Sequence, residues 1–314
     1  MGRYLVTGGA GFIGSHVLQA LLQRGDEVVC LDNFDPYYPR AEKERNLREV
    51  GESTRLTLVE GDVCDPAAVD QLLCDHRPEI VLHLAAKAGV RPSLADPAGY
   101  MHVNACGTLN LLQSAVQHDV KRLVFTSSSS VYGGLTRVPF SEDQETMRPL
   151  SPYAASKLAA EMVCHAFHHL YKLPIAILRL FTVYGPRQRP DLAISKFSRL
   201  LDEEQPIPVL GDGQSSRDYT YVGDTVRGIL AAADSSLSYA TINLGGGHPI
   251  ELRQLIETLA RLQQRRARLE FSPADPADML HTHADISLAK RLLKWEPEVS
   301  MEEGLKRFLD WRRG

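Results

Sequence analysis

The stretch "VTGGAGFIGS" constrains this chain more than any other. It sets three glycines, Gly8, Gly11 and Gly14, between an apolar run and an amphipathic one. "RYLVTGG" reads as a β-strand and "FIGSHVLQALLQRG" as a helix that closes at Gly25. A glycine turn at that junction lets main chain approach a ligand closely. The helix N-terminus adds unpaired N–H groups and the positive end of a dipole, which together suit a diphosphate.

The same alternation continues downstream. "EVVCLDN", "LTLVEGDV", "EIVLHLAA", "RLVFTSSS" and "PIAILRLF" are apolar strands separated by helical segments such as "NACGTLNLLQSAVQHD". Strands that are apolar throughout, alternating with helices, form a parallel sheet covered on both faces. The expected fold class is therefore α/β, a doubly wound Rossmann sheet, over residues 1–184. After "TVYGPRQRP" the elements shorten and glycine- and proline-rich loops appear ("VLGDGQSSRDY", "LGGGHPI"). Residues 185–314 are expected to form a smaller α/β substrate lobe, partly interleaved with the first and sending chain back to the sheet.

Asp32 ends the second strand roughly twenty residues beyond the glycines, where a dinucleotide's adenosine ribose would lie. A carboxylate there accepts hydrogen bonds from both ribose hydroxyls and repels a 2′-phosphate, so the expected cofactor is NAD rather than NADP. The turn and its first helical residues (Gly8, Gly11, Phe12, Ile13, Gly14), Asp32 with Asn33, Asp62 with Val63 near the adenine, and Leu84, Ala85 and Ala86 form the candidate cofactor wall. A glycine turn that merely packs helix on strand is the alternative, and the strand, helix and acidic residue around it argue against that.

"SPYAASKLAAE" places Tyr153 and Lys157 four residues apart on one helix face. A phenol with a pKa of about 10 is a poor base near neutrality. A neighbouring ammonium and a cationic nicotinamide would favour the phenolate, which could take a hydroxyl proton as hydride leaves the same carbon. Lys157 would also hold the nicotinamide ribose. "TSSSSVYG" follows the fifth strand, so Ser128 and Ser129 are candidates to hydrogen-bond the reacting oxygen.

Bulk properties exclude other classes. A net charge of −4 opposes nucleic-acid binding. No apolar run approaches a membrane span and no secretory leader precedes the first strand, so a cytoplasmic protein is expected. Five cysteines without a C-x-x-C pair read as reduced thiols, with Cys30, Cys64 and Cys106 expected to be buried. The eleven histidines have no metal-site spacing.

Together these motifs resemble the extended branch of the short-chain dehydrogenases/reductases. "DNFDPYY", "HLAAKAGVRPS", "SSSSVYG", "SPYAASK", "FTVYGP", "GDGQSSRDYTYV" and "NLGGG" are similar to the nucleotide-sugar epimerase/dehydratase group, and most of all to the UDP-glucuronate 4-epimerases. That resemblance implies a homodimer joined through two helices per subunit, and C4 oxidation of a UDP-sugar to a ketone. The dehydratases of the group carry Asp-Glu after a threonine in the strand-end motif, and the decarboxylases Thr-Ser-Glu. Ser128, Ser129 and Ser130 stand there in this chain, with no carboxyl group, which leaves return of hydride to the opposite face. Ser129, Ser130 and Thr182 would meet the substrate carboxylate through neutral hydroxyls. Arg91 is a further candidate for it, or else a surface arginine. Arg189, Arg217 and Asp278 match family positions around the uridine diphosphate. Relatives often read Arg-Pro-Gly-Asp where this chain has Asp275-Pro276-Ala277-Asp278, so more of the diphosphate would fall to Arg189 and Arg217. UDP-glucose or UDP-N-acetylglucosamine epimerisation is the alternative within this chemistry. A non-catalytic NAD-binding protein is the alternative outside it, though it would not need Tyr153, Lys157 or the serines.

Overall fold

The computed structural model describes residues 1–135, 137–273 and 279–314. The chain runs β1 (Arg3–Thr7), α1 (Phe12–Arg24), β2 (Glu27–Asp32), α2 (Arg40–Val50), β3 (Leu56–Glu60), α3 (Pro66–His76) and β4 (Ile80–His83). Two short helices, α4 (Val90–Ala95) and α5 (Pro97–Met101), lead through a π-helical turn at His102–Cys106 into α6 (Gly107–Gln117) and β5 (Arg122–Ser128). A 3-10 turn at Ser129–Tyr132 precedes α7 (Pro152–Tyr171), β6 (Ile175–Leu180) and β7 (Thr182–Tyr184). The remainder comprises α8 (Ala193–Asp202), β8 (Ile207–Leu210), β9 (Ser216–Tyr221), α9 (Val222–Asp234), β10 (Tyr239–Leu244), β11 (Pro249–Glu251), α10 (Leu252–Gln263), β12 (Leu269–Ser272), α11 (Ser287–Leu293) and α12 (Met301–Arg313).

Seven parallel strands form the main sheet in the order β10-β6-β5-β4-β1-β2-β3. The chain moves outward from β1 to β3, then crosses back to β4 and continues the other way. The crevice between β1 and β4 is thus the switch point at which such sheets bind ligands. α1 and α9 cover one face and α3, α6 and α7 the other. Both faces of the central strands are dry, as their unbroken apolar runs require: Val6, Leu82, Val124 and Leu178 look to one side, Leu5, Val81, Leu123 and Ile177 to the other. Burying each such side chain contributes about 1.5–3 kcal/mol.

The edge strand β10 comes from "YATINL", well after the sixth strand, and pairs along the whole of β6. β7, β9 and β11 form a small second sheet, and β8 pairs with β12. A separate core of Ile194, Phe197, Leu255, Leu259, Leu305 and Phe308 lies under α8, α10 and α12.

Local signals place the helices that matter. Gly25 ends α1 in the left-handed conformation (φ 84°) and donates to the carbonyls of Leu21 and Leu22. Ser151 caps α7 by accepting from the Ala154 N–H at 3.2 Å, and Pro152 opens its first turn. Tyr153 therefore stands at the start of that helix. One expectation fails: Cys30 is buried, but Cys64 is only half-buried, and Cys106 is exposed at the end of a π-helical turn that buries Asn104 instead.

Candidate active site

A cavity of about 610 Å³ opens over the C-terminal ends of the central strands. Its size is that of a pocket for a cofactor and a small substrate. The whole candidate cofactor wall lines it: Gly8, Gly11, Phe12, Ile13, Gly14, Asp32, Asn33, Asp62, Val63, Leu84, Ala85 and Ala86.

The glycines are dictated by close approach. Gly8 has φ 71°, and a Cβ there would sit 2.8 Å from the Ala85 nitrogen. A Cβ on Gly14 would lie 2.1 Å from the Gly8 carbonyl oxygen, so α1 could not seat on the turn. The glycine cradle, which a Cβ would fill, and the α1 N-terminus fit a dinucleotide diphosphate. Asp32 is buried. Its Oδ2 accepts from the Ala10 N–H at 3.1 Å, and its Oδ1 accepts from Phe34 N–H at 2.8 Å and from Lys43 Nζ at 3.3 Å. Asn33 donates to Asp62 at 2.9 Å, which joins the segments that follow β2 and β3.

At the other end, Tyr153, Lys157, Ser128, Ser129, Ser130, Thr182, Arg189 and Arg217 all line the same cavity. Alternation along β5 explains which serines face it usefully. Thr126 donates to the His83 carbonyl at 3.0 Å and Ser127 to Glu161 at 2.5 Å, so both hydroxyls are committed to the protein. Ser128 caps the 3-10 turn, accepting from Ser130 N–H at 3.1 Å, and keeps its own proton. Glu161 also holds Arg179 at 2.8 Å, both buried, and this pair pins α7 against β5 and β6.

The electrostatics differ from expectation in one respect. Lys157 Nζ donates to the Thr126 carbonyl at 2.8 Å, and burial depresses its pKa to about 8. Burial pushes the Tyr153 phenol up. The influences working against that shift are the Ser128 hydroxyl bonded to it and the Arg189 charge, not Lys157. One of the lysine's N–H donors is committed to the β5 carbonyl.

Arg189 gives Nε and Nη2 to Asp191 at 2.9 and 2.8 Å, and stands 5.2 Å from the Tyr37 ring. Arg217 donates Nη1 to the carbonyls of Ser216 and Leu280 at 3.0 and 3.2 Å. Arg91 is exposed on α4 and does not line the cavity, although its neighbours Val90 and Pro92 do. Asp278, with residues 274–277, lies outside the described residues.

Several contributors escaped the sequence reading. His83 is buried between Thr7 (Nδ1 to Oγ1, 2.7 Å) and Thr108 (Nε2 to Oγ1, 3.0 Å). Thr108 donates to the Asn104 carbonyl at 2.6 Å, so it must accept from Nε2–H, and Nδ1 accepts from Thr7. Thr7 in turn accepts from the Ala85 N–H at 3.1 Å. Burial lowers the His83 pKa to about 3, so the ring stays neutral and the chain keeps its direction. Asn104 closes the circuit by donating to Ser156 at 2.8 Å, which donates to the Tyr153 carbonyl at 2.8 Å. The candidate cofactor wall and the helix that carries Tyr153 are thereby one hydrogen-bonded assembly. The "HLAA" motif contains the histidine, but only folding brings Thr7 and Thr108 to it. In "RDY", Asp218 is fully buried and accepts from Gly246, Gly247 and Ala284 N–H groups. It organises the loops beneath Arg217 and does not line the cavity.

The switch-point crevice, the glycine cradle and the Tyr153/Lys157 helix define a nucleotide-sugar-modifying short-chain dehydrogenase/reductase. The chain belongs to the GDP-mannose 4,6 dehydratase family, whose sequence profile matches residues 5–308. It is 46% identical over 314 residues to a UDP-glucuronate 4-epimerase of Thermodesulfobacterium geofontis, spanning 100% of this chain and 97% of that one. Its fold is similar to the crystal structure of UDP-glucuronic acid 4-epimerase from Bacillus cereus in complex with UDP-glucuronic acid and NAD, with TM-score 0.93, 37% identity and 99% and 98% of the two chains covered. UDP-glucose 4-epimerase of Thermotoga maritima with UDP-glucose superposes with TM-score 0.91 at 33% identity, over 99% and 98% of the chains.

Proposed function

We propose that this protein interconverts UDP-glucuronate and UDP-galacturonate by NAD-dependent epimerisation at C4 of the sugar. One observation carries the reading: Tyr153 and Lys157 share their cavity with three serines, at the positions where a dehydratase or decarboxylase needs a carboxyl group. The acidic residues that line the cavity, Asp32, Asp35, Asp62 and Asp96, all belong to other segments, and Asp96 is paired with Lys87 at 2.8 Å. The similarity to the epimerases above supports the same conclusion.

NAD, when bound, supplies the hydride acceptor and gives the hydride back. Tyr153, as the phenolate that a cationic nicotinamide would favour, takes the C4 hydroxyl proton, with Ser128 donating to the same oxygen, and Lys157 would hold the nicotinamide ribose. The resulting ketone acidifies C5 and leaves a β-keto acid. Elimination needs a base and an acid that the serine run does not provide. Loss of CO₂ is opposed if Ser129, Ser130 and Thr182 hold the carboxylate near the carbonyl plane. Hydride returned to the opposite face, with the Tyr153 proton, gives the epimer. Arg189 and Arg217 hold the diphosphate through planar forks. Residues 1–184 act as the cofactor half and 185–314 as the interleaved sugar-nucleotide half.

We further propose a cytoplasmic homodimer. Among the described residues no helix is long and apolar enough to cross a membrane, and the five cysteines are unpaired. Met101 on α5 and Met162 and Leu170 on α7 are exposed apolar side chains on adjacent helices, which suits a helix-to-helix interface. The purified protein should convert UDP-glucuronate to UDP-galacturonate without added NAD, faster than it converts UDP-glucose. Release of CO₂ with a UDP-pentose, or preference for the neutral sugar, would refute the reading.

A further inference from the structure

Helix α2 carries solvated charges along most of its length, yet Lys43 within it is 6% exposed. Its Nζ lies 3.3 Å from Oδ1 of Asp32 and 5.3 Å from the centre of the Tyr38 ring, and both Lys43 and Asp32 line the cavity. An ammonium leaves water at considerable cost unless it is paired. Among the described residues, Asp32 is the only hydrogen-bond acceptor that Nζ has, although an ammonium carries about three donors. Lys43 therefore has donors in reserve at the rim of the adenosine site.

Asp32, by contrast, is almost saturated. Its carboxylate already accepts from two backbone N–H groups and from Lys43. A carboxylate has about four acceptor positions, so roughly one is left, at Oδ2. Two ribose hydroxyls donating to Asp32 alone, the arrangement expected from sequence, exceed that capacity. One hydroxyl donating to Oδ2 and the other accepting from Lys43 keeps the carboxylate within its capacity and gives Lys43 a second acceptor.

We propose that the adenosine ribose is read by Asp32 and Lys43 as a neutral pair, and that Lys43 is a determinant of dinucleotide specificity. This rests on the reading of the crevice as an NAD site. The pair carries no net charge, which matches an uncharged diol. A 2′-phosphate meets repulsion from one member and attraction from the other. Exclusion of NADP is then weaker than a lone carboxylate would impose, and removing that carboxylate's charge converts the buried ammonium into a phosphate anchor.

The test uses the full-length protein exchanged against an equimolar mixture of NAD and NADP. Bound dinucleotide is then released with acid and quantified by mass spectrometry. Wild type should release NAD. Asp32→Asn should raise the NADP-to-NAD ratio about 100-fold, and adding Lys43→Met to it should remove at least about tenfold of that gain. Lys43→Met alone should lower the ratio below wild type, and Lys43→Arg should preserve it. Equal ratios for Asp32→Asn and the double variant, or a wild-type ratio in Lys43→Met, would overturn the pairing. Failure of wild type to take up any dinucleotide would instead overturn the assignment of the crevice.

Discussion

At the end of the cavity proposed for the dinucleotide, the diphosphate cradle is main chain, the Gly8 turn, the α1 N-terminus and the Ala85 wall, with Asp32 and Lys43 as side chains beside it. At the end proposed for the sugar a ligand meets side chains: Ser128–Ser130, Tyr153, Thr182, Arg189 and Arg217, gathered from segments spread over roughly ninety residues of chain. The first surface is fixed by where a Cβ can and cannot go, so almost any substitution there strains the fold. The second is an assembly of replaceable groups on a rigid frame. Chemistry and sugar selectivity can change there with little effect on folding.

Substitutions at the two ends should separate those behaviours. The largest effect belongs to the sugar end: Tyr153→Phe should lower kcat about 10²–10⁴-fold while bound NAD stays stoichiometric by mass spectrometry. Loss of NAD alongside activity would erase the distinction.

Lys157 sits between the two ends and links chemistry to stability. Burial holds it at about 8 against 10.5 in an unfolded chain. Between those values the unfolded protein binds a proton that the folded one does not, so stability should rise with pH across this window. Below the folded value the burial cost is present in full. The rise is on the order of 3 kcal/mol and should vanish in Lys157→Met. Urea unfolding of the cofactor-free protein at pH 7.5 and pH 10, wild type against variant, measures it; parallel curves would contradict the burial described above.

Gly14→Ala tests the main-chain end. A Cβ 2.1 Å from a carbonyl oxygen forces α1 off the turn, so destabilisation of about 1–3 kcal/mol and loss of NAD are expected together. A variant with wild-type Tm and full NAD content would show that the close packing is dispensable. The smallest effect is selectivity. Thr182→Ala should reduce kcat/KM for UDP-glucuronate about tenfold and leave UDP-glucose nearly unchanged. An equal fall for both sugars would place the threonine outside carboxylate recognition.

The same contrast explains what the sequence disclosed. Gly8 to Gly14, Asp32 and the Tyr153/Lys157 pair act through spacing along one strand or helix, and such spacing is visible in a string of letters. Ser128 to Ser130 were legible because a strand end positions them. Lys43 was not: in "RAEKERNLREV" nothing separates it from its solvated neighbours, and only the packing of α2 against α1, which brings it to Asp32 at the end of β2, buries it. His83, Thr7 and Thr108 likewise belong to different elements, and their relay exists only once β1, β4 and α6 meet. The seventh strand was expected only as chain returning from the later segment, because a six-residue run such as "YATINL" does not state which edge it will join.

That returning strand carries a consequence for engineering. Because β10 is laid against β6 after the excursion through β7, β8 and β9, the sheet grips the segment proposed to bind the sugar nucleotide from both sides. Transplanting a relative's specificity region therefore calls for two splice points and a matched edge, and a single fusion after Tyr184 would strip α9 and β10 from the cofactor half and leave β6 as an unprotected border.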